Sequence, residues 1–313
     1  MRRATVALLL ALAAPAQDTR LSGPVSGFVF HSPTQSIRPI VGVPGSAYLG
    51  TELAQGFDAA SVAPLGRFAL ATLGGKLYLL RGLGSGQTEP APIEGSIDAV
   101  DRFAWSPDGA SAAVYSGDSR QAQILRNLDS AQPPDVESAL DLSSTDGPVT
   151  ALAFDGKRLL AGAGGVYLAD SSGVKLLLRT SNPAALALGN GDLFVAYQAG
   201  NQVWMIRDYA GEATPMLFAD ERAGLSGPVG LRISGNGRSL AVASAGSRSV
   251  DALDISTRAL LRHVDLDFAP SRMEVVGSSA LTLLNSGSDG EPLYLLDSGQ
   301  DLAVYFVPAG SEE

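Results

Sequence analysis

Four oxygen-bearing side chains carry the most specific chemistry this sequence offers. Asp58, Asp98, Asp101 and Asn285 lie on or beside short apolar runs that read as inner strands or their turns. Carboxylate and amide oxygens are hard ligands, and a cluster of them suits Ca²⁺. Asn285, Asp289 and Gly290 resemble the start of a calcium loop, but Leu296 stands where such a loop needs its bidentate acid. A hairpin loop accounts better for that stretch. The surrounding strand positions are mostly Ala, Ser, Val and Leu, which argues against a charged metal cage. His31 and His263 are the two histidines, one at a strand end and one inside a strand, so a His-Glu-x-x-His zinc helix is impossible. There is no cysteine, which excludes thiol catalysis, disulfides, iron–sulfur clusters and zinc fingers. Neither a Gly-x-Ser-x-Gly elbow nor a phosphate loop occurs, and nothing in the sequence selects a serine–histidine–acid triad.

Composition narrows the partners. The chain has 313 residues, 45% of them hydrophobic and 17% charged, with a net charge of −10. That acidity disfavours a nucleic-acid or anionic-lipid binder, since both need a basic surface. Arg2 and Arg3 precede a run of small residues and leucines from Ala4 to Ala14, and Ala14-Pro15-Ala16 has the small-x-small form of a cleavage site. The run is about half the length of a membrane span. It predicts a signal peptide over 1–16, cleaved near Ala16, and an exported protein, periplasmic or secreted. No later segment is long and apolar enough to span a membrane.

The elements that must position any site are strands. Runs such as Phe68–Thr72, Gly165–Ala169, Gln202–Arg207 and Ser239–Ser244 alternate or are β-branched, and Gly, Asn, Asp and Pro bound them. Gly-Pro-Val recurs at Gly23, Gly147 and Gly227, 124 and 80 residues apart, close to three and two periods of about 41. Further run starts at 58–62, 99–105, 184–188 and 273–276 bring the count to seven. Four antiparallel strands in about 42 residues is the size of one propeller blade. The expectation is an all-β fold over 17–313: a single β-propeller domain of seven four-stranded blades. The alternative is six blades plus an N-terminal hairpin, because the first unit, 24–56, is the least regular and 31–43 could be an outer hairpin of a neighbouring blade. A β-sandwich would give no reason for the period.

Trp105-Ser106-Pro107-Asp108-Gly109, with Phe103 before it and Ala112-Ala113-Val114-Tyr115 after it, resembles the repeat of bacterial TolB-like and WD40-like propellers. The resemblance implies that Ser106, Pro107, Asp108 and Gly109 turn the chain between the two innermost strands of a blade. Pro fixes φ, Asp accepts local backbone donors and Gly takes positive φ. Ala63-Pro64-Leu65-Gly66-Arg67 and Ser234-Gly235-Asn236-Gly237-Arg238 are degenerate versions. The motif marks a fold and carries over no catalytic residue.

Two functions follow as expectations. One is a monomeric, non-enzymatic scaffold without a cofactor, binding a protein, peptide or envelope glycan. The other is a metal-assisted, lactonase-like hydrolase using Ca²⁺ held by channel carboxylates. A quinone-cofactor dehydrogenase ranks last, since its cofactor contacts are not found. Tyr48 is a better candidate for an exposed aromatic contact than Trp105 and Trp204, which read as core, though a packed loop accounts better for its stretch.

Overall fold

The computed structural model describes residues 23–85, 88–277, 280–287, 291–299 and 302–308. These form seven antiparallel sheets, each built from consecutive strands. The innermost strands are Val25–His31, Ala59–Val62, Arg102–Trp105, Ala151–Phe154, Ala185–Gly189, Pro228–Ile233 and Glu274–Val276. They coincide with the seven run starts read from the sequence, so the chain is a seven-bladed β-propeller. The six-blade alternative fails because Val25–His31 pairs with Ser36–Val41 as the inner hairpin of a blade of its own.

Packing explains why the strands read as apolar on both faces. Seven core clusters occur among the described residues, one between each pair of neighbouring blades. Side chains alternate along a strand. Ala112 and Val114 therefore pack toward blade 2, and Ala113 and Tyr115 toward blade 4. A sheet covered on both faces needs little polar alternation, which accounts for the low charge content.

Two of the outermost strands, Glu89–Pro92 and Thr214–Ala219, contain proline. Their proline and exposed polar residues hide the strand signal and blunt a free sheet edge. In blade 3 the outer strand is split into Asp135–Val136 and Leu140–Asp141, both paired to Gln121–Arg126. In blade 1, Tyr48–Leu49 and Ala54–Gln55 likewise share Ser36–Val41 as partner.

The ring closes without exchange of a strand among the described residues: the last blade consists wholly of strands from 274 to 307. Among the described residues, two backbone bonds tie it to the first blades. Leu49 N–H donates to the Pro308 carbonyl at 3.3 Å, and Leu65 N–H to the Gly277 carbonyl at 2.9 Å. Gly27 and Gly277 touch so closely that a Cβ on either would collide with the other blade's backbone. Residues 1–16, where a signal peptide is expected, Ala16 included, and the pair Asp289 and Gly290 lie outside the described residues.

Candidate functional site

The inner hairpin turns gather around one mouth of the central channel. In blade 3, Asp108 Oδ1 lies 2.6 Å from the Ser106 hydroxyl and accepts the Ala110 N–H at 3.0 Å. Ser106 Oγ accepts the Ser111 N–H at 3.0 Å, and Gly109 N–H closes the turn on the Ser106 carbonyl at 2.9 Å. These bonds to its ionised form hold the Asp108 carboxyl below its ordinary range, the Ser106 hydroxyl contributing most. Blade 6 repeats the geometry with Ser234 and Asn236, which accepts from Arg238 N–H at 3.0 Å. Blade 4 uses Asp155 alone, accepting from Lys157 and Arg158 N–H. All three acidic or amide side chains are turn formers.

The other mouth is set by residues just before the innermost strands. Asp58 N–H bonds to Thr72, Asp101 to Tyr115, Thr150 to Gly162 and Ala184 to Ala196, each partner on the second strand of the same blade. Asp58 and Asp101 thus hold equivalent backbone positions on one rim, and Arg272, two residues before Glu274–Val276, lines the same channel. Asp58 accepts the Gly75 N–H at 3.3 Å. Partial burial pushes the Asp101 carboxyl above its ordinary range, and the Arg102 charge opposes that shift.

Between the mouths runs a cavity of about 870 Å³. Its walls are largely small or apolar, including Ala60, Ala104, Ala153, Ala187, Phe103 and Ile233. Charge enters through Arg102, Arg232, Arg272 and Glu274, which the sequence reading did not single out. They sit at or beside inner-strand positions that carry apolar residues in other blades, so no local motif marks them. Arg272 pairs with Glu274 at 3.0 Å and donates to the Asn285 carbonyl at 3.4 Å. Trp105 is half-buried at the wall, stacked edge-on against Phe68 at 5.7 Å, and its indole N–H donates to Ser61 at 2.9 Å.

The four oxygen candidates do not assemble. Asp58 and Asp101 line the same channel. Asp98 is instead bound by Lys76 Nζ at 2.8 Å on the exposed surface. Asn285 donates to the Pro292 carbonyl at 3.0 Å and accepts the Tyr294 N–H at 2.9 Å, which clamps the hairpin of blade 7. Both polar atoms of that amide are thereby occupied. Among the described residues no group of three or more His, Asp or Glu side chains is placed to hold a metal ion. The histidines are also separate: His31 bonds to Thr34 at 2.9 Å, and His263 to Asp251 in the outer part of blade 6. Tyr48 is 47% exposed on the short strand Tyr48–Leu49, not packed in a loop.

No family model matches the sequence, and no curated protein sequence is similar to it. Among solved structures, a chain in "Crystal Structure of Mitotic Checkpoint Complex" superimposes with a TM-score of 0.60 at 13% identity. The match covers 98% of this chain and 90% of that one, so the similarity spans the whole ring and is one of fold, the WD40-like seven-bladed β-propeller.

Proposed function

We propose that this protein is an exported, monomeric, non-enzymatic propeller scaffold that binds a protein, peptide or envelope glycan through a face of the ring. One observation carries the reading: the channel is walled by small and apolar side chains and rimmed by charges of both signs, while the candidate metal ligands are dispersed. A mixed rim around a concave apolar surface suits recognition of a complementary surface. The neighbour named above comes from a multi-protein complex, which agrees with this reading without specifying a partner.

The test has two parts. Intact mass of protein recovered from the cell envelope should correspond to a chain starting near Gln17. Cross-linking in the same fraction should recover a defined partner with the wild type and lose it on reversing the rim charges in Asp58→Lys/Asp101→Lys. Uncleaved protein retained in the cytoplasm would overturn the export. Chelator-sensitive turnover abolished by Asp58→Asn/Asp101→Asn would overturn the non-enzymatic reading in favour of the calcium hydrolase.

A further inference from the structure

An unpaired strand edge recruits other strands, and native sheets blunt it with short strands, proline, charge or bulges. Six blades of this ring do so. Blades 1 and 3 break the outer strand into two-residue pieces. Blades 2 and 5 carry proline there, at Pro90, Pro92 and Pro215. Blade 4 places Lys175 and Arg179 on Gly173–Arg179, and blade 6 places Arg262, His263 and Asp265 on Leu260–Asp265, each with a shift of register. The outer strand of blade 7, Ala303–Val307, reads Ala-Val-Tyr-Phe-Val and pairs along its whole length without proline, charge or bulge.

The ladder fixes which backbone groups this edge presents. The N–H and C=O of one residue point to the same side of an antiparallel strand, and the side alternates. The Tyr294 carbonyl accepts Leu284 N–H, and Ser298 N–H donates to the Ala280 carbonyl, so Tyr294, Leu296 and Ser298 face the blade's second strand. Leu293, Leu295 and Asp297 therefore bond toward Val307, Tyr305 and Ala303. The N–H and C=O groups of Val304 and Phe306 are left pointing outward, and no other described strand pairs with them. The Pro308 carbonyl, next in the same alternation, is taken by Leu49 N–H. Phe306 is 62% exposed, the most of any large apolar residue described.

Charge selects among the strands that could add here. From Met273 to Glu313 the chain holds seven acidic residues and no Lys, Arg or His. Glu291 and Asp297 stand at either end of Leu293–Asp297, the strand next to the edge. Two copies meeting edge to edge would bring two such blades together against their own charge. A strand with basic flanks is instead drawn to the edge.

We propose that the free edge of Ala303–Val307 pairs with an extended, apolar segment of a partner polypeptide flanked by Lys or Arg, which adds a fifth strand to blade 7. Main-chain bonds to Val304 and Phe306 supply the pairing, and alternate side chains of the added strand cover Phe306. A sugar has no repeat of donors and acceptors to match such an edge. The site lies on the circumference of the ring, away from the channel, so it goes beyond the face-binding reading and each can stand without the other.

The probe is a displayed library of random linear dodecapeptides, selected on the purified protein and counter-selected on Val304→Pro. This substitution removes an outward N–H that the ladder does not use, and edge strands tolerate proline there. Enriched peptides should alternate apolar residues and carry Lys or Arg at their flanks. A synthesised one should slow amide exchange at Val304 and Phe306 and bind less tightly as salt is added. It should lose about tenfold or more in affinity on Val304→Pro and on Phe306→Lys. Phe306→Lys keeps every backbone group, so it decides the matter if the proline variant unfolds. Peptides that bind Phe306→Lys as tightly as the wild type, that protect the Asp58–Asp101 rim instead, or that enrich equally with acidic flanks would overturn the proposal. Failure to enrich any peptide would overturn it too, as would a wild-type dimer that Phe306→Lys returns to monomer, which assigns the edge to a second copy. The envelope cross-linking above decides the face-binding reading separately.

Discussion

His263 Nδ1 lies 2.6 Å from a carboxylate oxygen of Asp251, joining a half-exposed imidazole on an outer strand to an acid that is 2% exposed. The other Asp251 oxygen accepts from Ser249 at 2.9 Å, and His263 Nε2 faces Asp265 at 3.1 Å. The bond to Asp251, then the one to Asp265, raises the histidine above its ordinary value. The raised pKa sets the sign: the stabilisation is full below about pH 6.5 and is lost as pH rises through the folded-state value. Denaturant melts at pH 5.5 and 8.5 should show this loss, and Asp251→Asn/His263→Gln should flatten it. His263→Ala should cost about 1–3 kcal/mol, because it strips a buried carboxylate of a partner.

Asp108 should behave in the opposite direction. Its depressed carboxyl stabilises the fold above about pH 4, and that contribution is lost as pH falls through the folded-state value. Asp108→Ala removes the bonds to Ser106 and Ala110 and should lower stability by about 1 kcal/mol, measured by urea melts at pH 7. Asp108→Asn should retain most of it, since blade 6 makes the same turn with Asn236.

Gly277→Ala should be far more damaging than its size suggests. A Cβ there would overlap the Ser26 carbonyl, and the residue already has φ of +58°. The loss should exceed about 2 kcal/mol. Gly74→Ala is the control: it has φ of +55° with open space around it, so it carries the backbone cost alone. Comparing their thermal melts separates collision from conformation.

Calcium should leave the melting temperature unchanged relative to chelator. A ligand held by the folded state alone would raise it by mass action. Asp58 and Asp101 share the channel, but Asp98 is engaged by Lys76 and Asn285 by its own hairpin. A chelator-sensitive melt that disappears in Asp58→Asn/Asp101→Asn would assign a metal to the rim.

The blade count was legible because neighbouring blades cover both faces of each sheet, which forces apolar runs every forty or so residues; second strands such as Ala112–Ser116 and Leu159–Gly162 are buried throughout. Ser106–Gly109 was legible because a tight turn restricts residue types strongly. The outer strands were not, since Glu89–Pro92 is exposed throughout and Thr214–Ala219 buries only its end, at Phe218 and Ala219, so burial forces an apolar run on neither. Arg232 and Glu274 were missed for another reason. A channel brings together residues far apart in sequence, so its chemistry has no local spacing to read. The spacing of the metal candidates is no better guide to their placement: Asp98 and Asp101 are three residues apart, yet one meets Lys76 on the surface and the other faces the channel.

Every blade is made from an uninterrupted stretch of chain, and blade 7 meets blades 1 and 2 through packing and two backbone bonds. No blade therefore depends on where the polypeptide starts. A circular permutant opened between the exposed Ser143 and Ser144 that join blades 3 and 4, with Gly23 and Pro308 linked across the seam, would keep all seven sheets intact. It would also convert a clasp that can part into a covalent link.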